Sequence, residues 1–502
     1  MDQPHREPSP AGVVPEYGIA IIGTGFSGLC MAWALRRAGR DDFVLLERAH
    51  EVGGTWRDNH YPGAACDVPS HLYSLSFAPK SDWSRVYPAQ PELLAYLRDV
   101  ADRFELRRFV RFDHEVLGAD YDEHAQLWRL TTRGGPITAR VLVAGNGPLA
   151  EPRAADLPGL ARFRGAQFHS ATWDHAVPLS GKRVAVIGTG ASAVQFVPEI
   201  VDQVARLDLY QRTPNWILPR PDRAYGPLAK WSLRHVPGLR ALYRAGIYWR
   251  NEGRVLGFVV HPALMRLPQR QCEKFLAAQV SDPVLRDKLT PRYAVGCKRV
   301  LISNDWYAAL QRPNLELVTT PIREVTEDAI VDADGRARPT DVLIHATGFY
   351  ATENPIASRI RGRGGVSLAQ TWQDGEQAYL GTLVHGFPNL MMVVGPNTGL
   401  GHNSMVFMIE TQVAYITRLL ELMRRERAAT LEVREPVQQA FNEALQHKLS
   451  DSVWATGCKS WYQHASGKIT TLWPGFTFDF WRRTRAFDEG DYALESLSAR
   501  GG

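Results

Sequence analysis

Two short apolar runs, each closing on a glycine-rich turn, constrain this chain more than any other feature. The first is Gly18-Ile19-Ala20-Ile21-Ile22, followed by Gly23-Thr24-Gly25-Phe26-Ser27-Gly28. A helical pattern continues through Leu29, Ala32, Trp33, Leu35 and Arg36, and a second apolar run, Phe43 to Leu46, ends in Glu47. The order is strand, glycine turn, helix, strand, acid. Gly23 permits the tight turn, Gly25 lets the backbone approach a pyrophosphate, and Gly28 lets helix and strand pack closely. The helix N-terminus faces the phosphates, and Glu47 is placed for ribose hydroxyls. The second unit runs from Arg183 to Ile187 into Gly188-Thr189-Gly190-Ala191-Ser192-Ala193, with the alanine that the fingerprint permits at its third position. Its next strand, Leu207 to Tyr210, leads into Gln211-Arg212-Thr213 rather than an acid. An acid repels a 2′-phosphate, whereas an arginine forks onto it. This second site is expected to select NADPH, with Arg212 and Thr213 beside the phosphate and Lys298 as a further cation. The expected fold class is α/β, with two Rossmann-like dinucleotide-binding domains.

At 502 residues the chain exceeds one core, and two or three domains are expected. A net charge of +5 without a long Lys/Arg run gives no sign of a nucleic-acid partner. The five cysteines, Cys30, Cys66, Cys272, Cys297 and Cys458, are odd in number and scattered. With no C-x-x-C, neither a zinc site nor a dithiol redox pair is indicated, no metal is expected, and a reducing cytoplasm is the simplest compartment. No apolar run is long enough to span a bilayer. Residues 1–16, polar and Pro-rich, read as a flexible tail.

Between the two units lies Phe163-Arg164-Gly165-Ala166-Gln167-Phe168-His169-Ser170-Ala171-Thr172-Trp173-Asp174, and after the first comes the Gly- and Pro-rich loop Gly53 to Asp67. Taken alone, His169 reads as a packed core residue and Asp67 as a solvated loop carboxylate. The spacing Phe-x-Gly-x3-His-x3-Trp followed by Asp resembles the fingerprint of Baeyer–Villiger monooxygenases. The pattern Gly-x-Trp-x4-Tyr-Pro-Gly-x3-Asp resembles a second motif of that family, and the likeness spans roughly Ile19 to Trp481. The resemblance implies an FAD-dependent, NADPH-consuming enzyme. Such an enzyme inserts one oxygen of O2 beside a ketone carbonyl through a flavin C4a-peroxide, giving an ester or lactone.

It also implies roles. Gly54, Thr55, Trp56, Tyr61 and Asp67 line the flavin; Val116, Ala346-Thr347-Gly348 and Asn397 contribute to the cofactor sites. Arg299 of the Lys298-Arg299 pair is the catalytic cation, held by Asp67. Phe163, Gly165, His169 and Trp173 orient the lobes. An anionic oxygen adduct needs a fixed cation, and arginine stays protonated. N- or S-oxygenating flavin enzymes and a non-catalytic flavin protein are the alternatives. The partners expected are a ketone and O2, with a membrane unlikely and a monomer or weak oligomer in solution.

The domains expected are 17–150 with 350–502 for FAD, and 151–214 with 296–349 for NADPH. A helical insertion at 215–295 is expected to show a solvated basic face. Local pattern places helices at Pro91 to Phe104 and Met405 to Met423, the latter capped by Asn403 or Ser404. It places strands at Val110 to Tyr121, Gln126 to Thr132, Val342 to Ala346 and Leu390 to Val394.

Overall fold

The computed structural model describes residues 14–458 and 460–496. Most of the expected flexible tail therefore lies outside the described residues. Within them, the Glu16 N–H donates to Thr138 Oγ1 at 2.9 Å.

The first glycine unit folds as its pattern dictates. β1 (Tyr17–Ile22) is buried along its last four residues, and α1 (Phe26–Arg37) starts directly after Gly25. A Cβ on Gly28 would stand 1.9 Å from the Gly23 carbonyl oxygen, so only glycine lets this helix lie against its strand. β2 (Phe43–Leu46) pairs in parallel with β1. The one-turn α2 (Thr55–Asp58) and the longer α3 (Gln90–Arg103) follow. The run expected as one strand from Val110 to Tyr121 is broken, because Asp113 takes a positive φ of 58°. The result is β3 (Val110–Arg111), parallel to β2, and β4 (Val116–Asp122), antiparallel to β5 (Leu127–Thr132). β6 (Gly135–Ala144) returns beside β1.

The second sheet is parallel throughout. It comprises β7 (Ala166–His169), β8 (Arg183–Ile187), β9 (Arg206–Tyr210), β12 (Leu315–Val318) and β16 (Val342–His345), in the order β12-β9-β8-β16-β7. Ala166 to His169 of the central fingerprint thus form an edge strand of this sheet. α4 (Ala191–Ile200) follows β8. Between β9 and β12 the chain leaves through β10 (Ile217–Leu218) and returns through β11 (Leu301–Ile302), which pair in parallel. The intervening stretch holds α5 (Pro227–His235), α6 (Leu239–Glu252), α7 (Arg266–Gln279) and α8 (Pro283–Leu289). Its outward faces carry exposed cations, among them Arg234, Arg250, Arg254 and Arg266, and also large apolar side chains that were not expected: Leu228 is 77% exposed, Trp231 57%, Leu242 71% and Trp249 60%. The short α9 (Trp306–Ala309) precedes β12, and β13 (Ile322–Val325), β14 (Ala329–Asp332) and β15 (Ala337–Pro339) form a meander.

The chain then goes back to the first sheet. After the one-turn α10 (Ile356–Arg359), β17 (Ile360–Arg361) adds to β4. The one-turn α11 (Leu368–Thr371) follows, and β18 (Leu390–Met392) adds to β6. The expected strand to Val394 stops short, since Val394 has φ 62°. α12 (Met405–Arg425) is capped by Ser404, whose hydroxyl accepts the Val406 N–H, and it lies against α1 with one face in the main core. β19 (Ala428–Val433), α13 (Glu435–Ser450), α14 (Thr477–Arg485) and β20 (Tyr492–Ser496) complete the chain. Trp454 and Trp473 of the tail join the main core, while Trp461 and Trp481 remain exposed.

The cysteine reading needs correction. Cys297 and Cys458 form a disulfide across 161 residues. Separation along the chain concealed a pair that the fold brings together, so the scattered cysteines no longer argue for a reducing compartment. Cys30, Cys66 and Cys272 are free and buried.

Candidate active site

The first glycine turn and the Gly53 loop form one wall. Gly54, with φ 51°, brings its Cα against the turn so closely that a Cβ there would be 2.9 Å from the Gly25 Cα. α2 sets Trp56 so that its Nε1 donates to the Tyr73 hydroxyl at 3.2 Å, while Gln90 Nε2 donates to the Trp56 carbonyl. Phe26 packs edge-on to Tyr73 at 5.2 Å, and Ser27 is buried. Glu47 sits at the end of β2. Its carboxylate accepts the Thr24 N–H at 3.1 Å, the Thr24 hydroxyl at 2.5 Å and the Ala49 N–H at 3.0 Å, and pairs with Arg57 at 2.8 Å. A ribose hydroxyl reaches Glu47 only by replacing one of these partners. The His114 N–H donates to the Glu47 carbonyl, which brings the start of β4 and Val116 alongside, although the Val116 side chain is core.

The loop ends on Asp67, and there the fold brings together two residues 232 positions apart. Asp67 Oδ2 accepts from Arg299 Nη2 at 2.6 Å and from Nε at 3.0 Å. The pair is half-buried, 31% and 35% exposed. Burial pushes the Asp67 carboxyl up, but the Arg299 charge and hydrogen bond, with Arg220 further off, hold it below its ordinary value. The Asp67 charge in turn raises the Arg299 guanidinium, against the cost of burial. No protein acceptor among the described residues takes Arg299 Nη1. Arg299 follows the disulfide-bonded Cys297 by two positions, and buried Tyr462 lies within reach of its field.

At the second glycine turn, α4 begins at Ala191 and Ser192 behind Gly190, and nothing stands within 4 Å of where a Gly190 Cβ would be. Thr189 is buried, with its hydroxyl 3.5 Å from the Thr213 carbonyl and its own carbonyl accepting from Asn215 at 2.6 Å. Arg212, just past β9, is exposed. Burial and then the Arg212 charge lower the Lys298 ammonium, which also lies 4.9 Å over the Tyr293 ring. Among the described residues neither cation has a carboxylate within 4.0 Å.

Comparison with known proteins agrees. The pyridine nucleotide-disulphide oxidoreductase family matches residues 20–236. A Baeyer–Villiger monooxygenase of Pseudomonas aeruginosa is 50% identical over 491 residues, 97% of this chain and 93% of that protein. One of Streptomyces coelicolor is 46% identical over 478 residues, 95% and 92% respectively. The solved structure of OTEMO in complex with FAD and NADP superposes with a TM-score of 0.87 at 27% identity, over 96% of this chain and all of that one. The chain belongs to the Baeyer–Villiger monooxygenase family.

In this monooxygenase the fingerprint side chains are mostly packed. Trp173 packs edge-to-face at 5.1 Å on both Phe168 and Phe196 of α4, and Phe163 lies in a small core beneath β8 and β16. A Cβ on Gly165 would be 2.4 Å from the Asp341 carbonyl oxygen. His169 Nδ1 accepts the Ala171 N–H, its ring lies 5.8 Å from Phe349, and burial lowers it to about 4. At that value the ring stays neutral. Ala346 directly follows β16, the Thr347 hydroxyl donates to the Arg153 carbonyl, and the Gly348 carbonyl accepts the Arg153 N–H. Asn397 is first of all structural: its Nδ2 donates to the Ile469 and Leu472 carbonyls. Its Oδ1 is buried without a partner, as a residue awaiting a ligand donor would be.

Sequence reasoning missed Gln195. The Tyr61 hydroxyl donates to Gln195 Oε1 at 2.9 Å, and Gln195 Nε2 donates to the Ala65 carbonyl at 2.9 Å. One glutamine on α4 thereby holds the flavin-side loop to the second sheet, and a polar residue on the inner face of the helix was the available signal. Glu252, Tyr462 and Arg220 were also missed. Buried Glu252 accepts from Asn403 at 2.6 Å and from the Thr477 hydroxyl at 2.9 Å, tying the insertion to α12 and α14. Among the described residues no group of acids, histidines and cysteines could hold a metal, and no helix is long and apolar enough to cross a membrane.

Proposed function

We propose that Arg299, gripped by Asp67, is the fixed cation of an FAD- and NADPH-dependent ketone oxygenation whose product is an ester or lactone. FAD is assigned to the first glycine turn and the Gly53 loop, and NADPH to the second turn with Arg212 and Lys298. The residues suit both groups. Gly190 leaves open space before the N-terminus of α4, Gly25 opens α1 with the Gly54 backbone alongside, and Asn397 Oδ1 lacks a donor. When bound, FAD reduced by NADPH supplies the activation of O2.

The Asp67–Arg299 contact carries the reading. Asp67 occupies Nε and Nη2, fixes the plane of the guanidinium and favours its charge. Nη1 is left to donate to the carbonyl oxygen of the ketone, where negative charge grows as the oxygen adds. A charge already fixed in place needs no reorganisation during the reaction. Gln195 and Tyr61 hold the loop bearing Asp67 against α4, which keeps nicotinamide and flavin sites in register.

The test supplies NADPH, O2 and a panel of ketones, sulfides and amines, with products identified by mass. Wild type should give esters or lactones. Arg299→Ala should lose about 100- to 1000-fold in ester formation while keeping its FAD. Asp67→Ala should lose less, because the cation remains. Exclusive N- or S-oxides from wild type would reject the ketone reading, and undiminished esters from Arg299→Ala would remove Arg299 from its role.

A further inference from the structure

Ten of the seventeen large apolar side chains exposed on the described residues fall between 228 and 284, in the insertion. On α6, Leu242 and Trp249 share the outer face with Gly238, Ala245 and Gly246, and Trp249 lies 6.0 Å from Phe478 at the start of α14. Trp481, one turn further on α14, continues the patch, with Arg485 4.4 Å over its ring. On α5, Leu228 and Trp231 point outward beside Lys230 and Arg234.

Charge is concentrated in the same place. From Arg223 to Cys272 there are nine Arg and Lys and one acid, Glu252, which is buried. This stretch is +8 while the whole chain is +5, so the remainder is net −3. Of the nine cations, only Arg244 has a carboxylate within 4.0 Å, Glu410 at 3.9 Å. Arg240 and Arg244 are partly buried, and Arg244 Nη1 donates to the His71 and Ser74 carbonyls. The other seven reach the surface: Arg223, Arg234, Arg250, Arg254, Arg266 and Arg270 are exposed and Lys230 partly so.

We propose that this face docks on an anionic lipid bilayer, with Trp231, Leu242 and Trp249 at the headgroup boundary and Lys230 and Arg234 against lipid phosphates. Helices with an apolar stripe flanked by cations lie in the interface plane, and tryptophan favours that depth. A second copy of the chain is the poorer occupant, since two such faces bring like charges together. The inference stands apart from the catalytic reading, because neither Trp231, Trp249, Lys230 nor Arg234 belongs to the site.

The experiment is co-sedimentation of the full-length holoenzyme with vesicles of phosphatidylcholine alone, or containing about one-third phosphatidylglycerol, at low and high salt. Binding should need the anionic lipid and fall with salt. The double variant Lys230→Gln/Arg234→Gln should weaken it by about fivefold per cation. Trp231→Ala/Trp249→Ala should also release the protein, with FAD content and far-ultraviolet circular dichroism unchanged. Failure to bind anionic vesicles, equal binding to phosphatidylcholine alone, or a dimer abolished by Trp249→Ala in place of vesicle binding would each overturn the proposal. If the tryptophan variant misfolds, the charge variant decides.

Discussion

Arg212 and Lys298 come from opposite ends of the insertion, close enough for the Arg212 charge to lower the Lys298 ammonium. Each was legible, the first from the residue after a strand, the second from its place beside Arg299. A 2′-phosphate is the group that rewards such a pair. Arg212→Ala should weaken NADPH by about 10- to 100-fold, the worth of one charge-assisted phosphate contact, and leave NADH nearly unchanged. Equal losses in titrations with both coenzymes would show that Arg212 does not read the phosphate. Asp67 was legible from its motif, and its grip on Arg299 was expected through family likeness alone. What the sequence did not reveal is how those residues are supported. Glu47 carries an arginine and a threonine that no motif pairs with it, and Gln195 reaches across 130 positions to Ala65. Contacts between remote residues leave no local period to read.

Elements with one dominant pattern were read correctly: α3 and α12 lie within two residues of expectation, and α1 begins three residues before the Leu29 at which its pattern was read. Those that failed were interrupted by backbone. Asp113 and Val394 adopt positive φ inside apolar runs, a cost that only the surrounding fold makes acceptable. β7 failed for another reason, since its four residues gain a partner only when β16 arrives some 170 positions later. The disulfide belongs to the same class of long-range fact. It anchors the segment of Arg299 to the stretch after α13. Cys458→Ser should lower stability by about 2–4 kcal/mol, chiefly by releasing a long loop in the unfolded chain. Urea unfolding of the oxidised protein beside the variant measures it, and coincident transitions would mean that the bridge is not formed in solution.

At the scale of the molecule, the two sheets meet where the flavin-side loop lies on α4. Gly63 is the tightest point of that meeting: it has φ 74°, and a Cβ there would stand 2.8 Å from both the Gln195 carbonyl oxygen and Glu199 Cγ. Gly63→Ala should push the loop off α4 and slow NADPH-driven flavin reduction by roughly 10- to 100-fold, as a shift of about 1 Å in reacting groups does. Its FAD content should be normal. A stopped-flow reduction rate equal to wild type would show that the meeting does not govern hydride transfer.

The order of strands also has a consequence for how the chain leaves the ribosome. The second sheet is complete once β16 has emerged, from residues contiguous but for the insertion and the meander. The first sheet is not: β1 to β6 are made early, yet β18, which pairs with Leu142 to Ala144 of β6, follows about 250 residues later, a wait of roughly 12–50 s at ordinary rates of synthesis. Throughout that interval β6 is flanked by β5 and β1 but its last three residues lack their partner on one side, and α1 lacks α12. A chain truncated between β16 and Leu390 should therefore hold a complete second sheet beside a first sheet lacking β18 and α12, and should be less soluble than the full chain.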